Sequence, residues 1–208
     1  DHRDLHSFPT RRSSDLATTI VSNSNFQGKK KKVLYIKTKN SRKLLSEVAT
    51  KFYINKPLNL VAVTGTNGKS SVADFYFQIL KLNNKKVASI GTLGVKTHLN
   101  NLKINNTTLD PILLNKHLQR IKKYKIENVI LEASSHGLKQ NRLDGLNFKT
   151  GIFINLSRDH LDYHKSYKDY LNSKLLLFKN LLKKNSNIIT DINIPQYKII
   201  KNIAKRKK

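Results

Sequence analysis

The sequence contains no cysteine, no methionine and no tryptophan. Without cysteine there is neither a disulfide framework nor a thiolate metal site, which suits a reducing compartment such as the cytoplasm. Without methionine, Asp1 is not a natural start. Acidic residues are scarce: 13 Asp and Glu stand against 40 Lys and Arg, giving a formal net charge of +27. Long apolar runs are missing as well. No stretch approaches the ~20 residues that span a bilayer, and no signal-peptide pattern opens the chain, so a soluble protein is expected.

The opening DHRDLHSFPTRRSSDL has no periodicity, and FPTRRSSDL resembles the translated read-through of a sequencing adaptor. Residues 1–16 are therefore treated as a scar with no fold, and the natural N-terminus is expected to be missing. The positive charge invites a nucleic-acid reading. The lysines, however, are spread along the whole chain among asparagines and isoleucines, as an AT-rich genome would encode them. The densest clusters, Lys29–Lys32 and Lys205–Lys208, interleave no aromatics for base stacking. A solvated basic surface accounts for them, and nucleic acid is not expected as a partner.

The remaining pattern is that of an α/β protein. KVLYIK (32–37) reads as a short strand, and SRKLLSEVATKFY as a helix capped by Ser41 with Leu44, Leu45, Val48, Ala49 and Phe52 inward. Asn55-Lys56-Pro57 breaks that pattern and marks a domain boundary, so residues 17–56 read as the end of one domain and 57–208 as another. Beyond it, strands and helices alternate. LNLVAV (58–63) reads as a fully buried strand. Ser70–Leu82 reads as a helix with Val72, Phe75, Tyr76, Ile79 and Leu80 inward. Strands are expected at Lys86–Ile90, Asn128–Leu131, Gly151–Asn155 and Asn187–Thr190. Asp110-Pro111 starts a helix carrying Leu114, Leu118 and Ile121, and a long helix is expected over Ser166–Lys183. The alternation implies a mostly parallel sheet with helices on both faces.

Three stretches carry chemistry. TGTNGKSS (64–71) lies between a strand and a helix, as a phosphate-binding loop requires. Gly65 and Gly68 allow backbone N–H groups to face an anion at a helix N-terminus. Lys69 can reach the β and γ phosphates, and Ser70 can offer its hydroxyl to Mg²⁺. The pattern G-x-x-x-x-G-K-[ST] wants glycine at position 63, where this chain has Val63. The bland alternative is a glycine-rich turn with an exposed lysine. Next, Glu132 ends a strand in ILEASSHGLKQNR and so emerges at the sheet edge from which the loop departs, where open α/β sheets bind ligands. A carboxylate there can hold magnesium, and His160, after the strand GIFIN, shares that edge; a structural role suits either residue equally well by itself. Last, Lys174 interrupts an inward stripe of Tyr170, Leu171, Phe178 and Leu181. It is either a snorkelling stem with its ammonium at the surface or a desolvated lysine with a lowered pKa.

These stretches resemble a known family. GTNGKSS is similar to the phosphate loop of the Mur ligase superfamily, whose variant lacks the first glycine. EASSHGL with Gln140 and Arg142, then NLSRDHLDYH and YLNSKLLLF, resemble specifically the MurE type, the UDP-N-acetylmuramoyl-L-alanyl-D-glutamate–amino-acid ligases. The resemblance covers about residues 41–190. It implies a P-loop-type ATPase domain, truncated at its C-terminal end, preceded by the end of an N-terminal UDP-binding α/β domain. Gly65, Thr66, Asn67, Gly68, Lys69, Ser70 and Ser71 would form the ATP phosphate loop. Ser70, in place of a more usual threonine, would hold the first Mg²⁺. Glu132 would bridge two magnesium ions, and His160 would bind the second. Lys174 would be carbamylated and stabilise that second metal. Thr107, Thr108, Ser134, Gln140 and Arg142 match positions that hold the UDP-muramoyl-dipeptide, while His136 and His164 read as structural.

The activity so implied is ATP-dependent amide formation in peptidoglycan synthesis, in the cytoplasm, by a monomer. The D-glutamate γ-carboxylate is phosphorylated by ATP, and the amine of a diamino acid then displaces phosphate. Lys69, Glu132, His160 and Lys174 are the catalytic candidates. The chain alone is expected not to ligate, because the group holding the amine lies in a further domain. Alternatives are another Mur ligase, a folylpolyglutamate synthase-like ligase, or a non-catalytic phosphate-loop or nucleic-acid-associated module.

Overall fold

The structure is a computed structural model that describes residues 17–30, 32–160 and 162–207. The proposed adaptor-derived stretch, residues 1–16, lies outside the described residues. The chain divides into two units, one ending at Leu44 and one running from Leu45 to Lys208.

In the first unit, β1 (Thr19–Ser22), β2 (Gly28–Lys30) and β3 (Val33–Lys37) form a three-stranded sheet in the order β1-β3-β2. β1 and β3 run parallel, β2 and β3 antiparallel. Helix α1 (Ser41–Phe52) begins in this unit and ends in the second. The structure therefore divides the chain inside α1, whereas the sequence pattern breaks later, at Asn55-Lys56-Pro57.

The second unit is built on seven strands: β4 (Asn59–Thr64), β5 (Val87–Gly91), β6 (Gly94–Thr97), β7 (Asn101–Leu102), β8 (Asn128–Glu132), β9 (Phe148–Phe153) and β10 (Leu182–Thr190). Their order is β10-β9-β4-β8-β5-β6-β7. The pairs from β10 to β5 are parallel, and β6 and β7 add antiparallel edges. The helices are α2 (Lys69–Leu82), α3 (Pro111–Lys123), α4 (Ser135–Lys139), α5 (Tyr167–Leu176) and α6 (Tyr197–Lys205).

Strand β4 shows why the apolar runs become buried strands. Its alternate residues Leu60 and Ala62 join a core with Leu114, Leu118 and Ile121 of α3. Val61 and Val63 point to the other face, where Ala73, Val72 and Tyr76 of α2 cover them. Both faces are dry, so neither residue set can be polar. The mostly parallel sheet covered on both faces is the architecture the alternation implied.

Three details differ from the sequence reading. On α2 the side chains turned fully inward are Ala73 and Phe77, while Phe75 and Ile79 are 61% and 58% exposed. The helix approaches the sheet through its small residue, which rotates the wider apolar stripe off the contact. On α1 the buried residues are Ser46 and Ala49; Leu45, Val48 and Phe52 are exposed. Ser46 donates its hydroxyl to the Asn141 carbonyl, so that contact selects a polar side of the helix. The long helix over 166–183 is α5, capped by Ser166, followed by a π-helical turn Leu177–Leu181. Leu182 then enters β10. The apolar period continues smoothly through this change and carries no stop signal.

Candidate functional site

Parallel strands β4, β8 and β9 end side by side, with Val63 opposite Glu132 and Thr64 opposite Phe153. The loop 65–68 leaves this edge. Val63 is fully buried within β4, so the loop begins only after Thr64 and no glycine is called for at position 63. Gly68 adopts the left-handed conformation, φ 82°, as the chain turns into α2. That conformation strains any residue with a Cβ.

The loop is pinned from below. The backbone N–H groups of Thr66 and Asn67 both donate to Asn155 Oδ1, at 3.0 and 3.1 Å, and Asn155 Nδ2 returns a bond to the Asn67 carbonyl at 3.2 Å. Lys69 Nζ donates to the Gly65 and Thr66 carbonyls at 3.0 and 2.8 Å. Burial pulls the Lys69 ammonium below the usual lysine range, opposed by the charges of Glu132 and Asp159. The Ser70 hydroxyl donates to Glu132 Oε2 at 3.0 Å. Ser71 is exposed on α2.

Glu132 is 2% exposed at the end of β8. Its carboxylate lies across the end of β5, where a Cβ on Gly91 would fall 2.1 Å from Oε1. Only glycine leaves that space open. Thr92 completes the seat: its N–H donates to Oε1 at 2.8 Å and its hydroxyl to Oε2 at 3.2 Å.

Lys174 does not snorkel. It is 1% exposed, its Nζ donating to the Gly65 carbonyl at 2.7 Å and lying 4.4 Å from the Tyr170 ring centroid. Burial, with the nearby Lys69 charge, lowers its pKa from 10.5 to about 7, against the attraction of Asp159. Two lysines thus converge on one carbonyl, and the deeper one is readily neutral. Tyr170 is itself tied to the loop, its hydroxyl 3.1 Å from Thr66 Oγ1.

A cleft of about 260 Å³ opens beside the loop, lined by Lys69, Asn106, Thr107, Thr108, Ser134, His136, Gln140, Arg142 and His160. The Thr108 hydroxyl donates to the Glu132 carbonyl at 2.9 Å and lies 3.0 Å from Ser134 Oγ, which caps α4 by accepting from Gly137 N–H. Arg142 bonds the Thr108 carbonyl at 2.7 Å and grips Gln140 Oε1 through Nε and Nη2, at 3.0 and 2.7 Å. A second indentation, beside Leu138 and Leu181, encloses about 10 Å³ and offers room for one water at most.

Of the four residues read as metal-contacting, the structure joins Ser70 directly to Glu132. His160 and Lys174 both approach Tyr170, His160 with ring centroids 6.0 Å apart. His160 has φ 52°, its Nε2 3.5 Å from Asp159 Oδ2. Among the described residues no three acidic or histidine side chains converge as a ready-made metal cluster. His164 is buried, with Nε2 3.0 Å from Ser135 Oγ. His136 belongs to the cleft wall, packed 3.9 Å from Tyr163 and 5.1 Å from His160. Thr92, Asn155 and Asp159 were not singled out in the sequence. A threonine directly after a strand on the loop's own edge was the available signal for Thr92.

Residues 63–208 match the family described as Mur ligase middle domain. The chain is 43% identical over 151 residues to a UDP-N-acetylmuramoyl-L-alanyl-D-glutamate–2,6-diaminopimelate ligase of Bradyrhizobium diazoefficiens, covering 73% of this chain and 31% of that protein. A solved structure of a ligase of the same name superposes with TM-score 0.73 at 30% identity, over 83% of this chain and 35% of the other. Escherichia coli FolC, solved in complex with DHPP and ADP, superposes with TM-score 0.60 at 17% identity, over 80% and 44%, a likeness of fold alone. The chain spans about a third of the length of the ligases it matches. With its loop, carboxylate seat and cleft at one sheet edge, the chain belongs to the Mur ligase family and carries that family's middle domain.

Proposed function

We propose that the chain is the ATP-binding middle domain of a cytoplasmic, monomeric, MurE-type ligase. The reaction joins a diamino acid to UDP-N-acetylmuramoyl-L-alanyl-D-glutamate. ATP phosphorylates the D-glutamate γ-carboxylate, and the amine then displaces phosphate. The observation that carries this reading is the continuity of the phosphate loop with the cleft: Lys69 belongs to both, and Ser70 bonds the Glu132 carboxylate between them.

The residues fit the groups this reaction needs. Lys69 and the N–H groups opening α2 suit phosphate oxygens. Magnesium is commonly held by one or two carboxylates together with substrate phosphates, so Glu132 with the Ser70 hydroxyl would serve, no cluster of three acidic or histidine side chains being found among the described residues. His160 and a Lys174 carbamate would hold a second ion. Bound magnesium would neutralise charge on the transferred phosphoryl group. Lys174 is chemically prepared for carbamate formation, since only a neutral amine adds CO₂ and burial favours that form. In the cleft, Thr107, Thr108, Ser134, Gln140 and Arg142 would hold the muramoyl-dipeptide. Arg142 keeps its guanidinium plane fixed by Gln140, ready for a carboxylate or phosphate. Catalysis in this scheme is positioning and electrostatics.

The test is calorimetric titration of the chain with ADP and Mg²⁺, and separately with UDP-N-acetylmuramoyl-L-alanyl-D-glutamate. Binding of both is expected, with ADP affinity falling at least about tenfold in Lys69→Ala, the loss of a charged hydrogen bond. A chain that ignores the muramoyl-dipeptide refutes the substrate assignment.

A further inference from the structure

Thr92 touches both halves of the site. It follows β5 and is exposed, so no packing requirement fixes its identity. Its backbone N–H reaches Glu132 Oε1 at 2.8 Å, and its hydroxyl lies 3.2 Å from Glu132 Oε2 and 3.0 Å from Thr107 Oγ1. A carboxylate only accepts. The Thr92 hydroxyl proton is therefore committed to Glu132, and Thr107 must donate to Thr92.

The order of donors runs in one direction, from the cleft wall through Thr107 and Thr92 to the carboxylate. Both oxygens of Glu132 are thereby oriented: Oε1 by the Thr92 N–H, Oε2 by the hydroxyls of Ser70 and Thr92. Gly91 leaves the space in which the carboxylate lies. Without the Thr92 hydroxyl, Ser70 alone would restrain Oε2, and Ser70 is the hydroxyl that a cation would recruit.

We propose that Thr92 is a positioning residue that aims the Glu132 carboxylate for a divalent cation, with Thr107 bracing it from the cleft wall. The inference rests on the reading of Glu132 as a cation ligand given above. A bond that orients a ligand before binding lowers the reorganisation required when the ion arrives, so its loss should show as weaker metal dependence and leave nucleotide contact unchanged.

The experiment measures ADP binding to the chain as a function of Mg²⁺, in wild type, Thr92→Val, Thr92→Ser and Lys69→Ala. Valine keeps the shape and the backbone N–H but removes the hydroxyl; serine keeps the hydroxyl and drops the methyl. In Thr92→Val the Mg²⁺ concentration at half-maximal ADP binding should rise about tenfold, the scale of one hydrogen bond to a charged group. Metal-free ADP affinity should stay within about twofold, and Thr92→Ser should restore the metal dependence. A Thr92→Val variant indistinguishable from wild type, or a Thr92→Ser variant as impaired as the valine, overturns the proposal. If Lys69→Ala abolishes binding while Thr92→Val changes nothing, this inference alone fails. A wild-type chain that binds no ADP overturns both this inference and the phosphate-loop reading.

Discussion

Lys174 offers the sharpest test of the site's electrostatics. The perturbation is Lys174→Met, which keeps the length and apolar stem and removes the amine. The Gly65 carbonyl keeps a partner in the variant, because Lys69 Nζ donates to it at 3.0 Å. The fall of the Lys174 pKa from 10.5 to about 7 corresponds to roughly 5 kcal/mol of proton-linked cost. Below pH 7 the lysine carries its proton in both folded and unfolded chains, and the whole cost is present. Between pH 7 and 10.5 the unfolded chain binds more protons than the folded one, so stability rises with pH. Above 10.5 the cost is gone.

The Met variant lacks this dependence. Its stability relative to wild type should therefore be greatest at pH 6 and should shrink by roughly 3 kcal/mol by pH 9. Comparing the two proteins cancels the titration of groups remote from Lys174 and leaves its own proton together with its coupling to Lys69 and His164. The assay is urea unfolding at pH 6, 7, 8 and 9 in CO₂-free buffer, since a carbamate would remove the proton by another route. Parallel pH curves for the two proteins would refute the claim that Lys174 is held near neutrality by burial.

Three further outcomes follow from the geometry. Gly91→Ala should destabilise the chain by about 1–3 kcal/mol, the usual scale of overpacking, and should weaken the Mg²⁺ dependence of ADP binding, because its Cβ would displace the Glu132 carboxyl. Asp110→Ala should cost about 1 kcal/mol in denaturant unfolding, since Asp110 Oδ1 accepts from Ile112 and Leu113 N–H at 3.0 Å each and caps α3. Leu118→Ala, at a fully buried position of α3, should cost about 2–5 kcal/mol by the same measurement with nucleotide affinity unchanged.

The sequence displayed the parts of the fold in which burial writes a pattern. β4 and β8 are buried on both faces, so NLVAVT and NVILE are nearly unbroken apolar runs. The start of α3 was legible because a cap and a proline at N1 are local chemistry. β1, β2, β6 and β7 are short and partly exposed, and no period could announce them. The inward faces of α1 and α2 were legible only in part, because the widest apolar stripe is not always the contact: Ala49, Val72 and Tyr76 do face the core, but Phe75 and Phe52 are exposed while Ser46 and Ala73 are buried. The site divides in the same way. Lys69, Ser70 and Glu132 sit at positions fixed by strand ends, which the sequence reveals. Thr92 and Asn155 act through bonds to residues about 40 and 88 positions away, and a one-dimensional pattern contains no trace of such partners.

Lys174 shows how a departure from pattern becomes informative once the neighbours are known. A lysine in an apolar stripe admits two arrangements, with the charge at the surface or the amine inside. A free helix face would favour the first, since the long stem reaches water at little cost. Here the route outward is closed by Tyr170 and the loop, and the Gly65 carbonyl supplies an acceptor within the core. The same carbonyl also receives Lys69, so a second full positive charge at Lys174 is repelled by the first. The loop after β4 and the buried lysine are therefore coupled through one oxygen. Recruiting Lys69 to an anion would free that oxygen for Lys174 and reduce the repulsion between the two amines. Nucleotide binding should accordingly raise the proton affinity of Lys174, and the pH dependence of ADP binding by the wild-type chain, flattened in Lys174→Met, would reveal it.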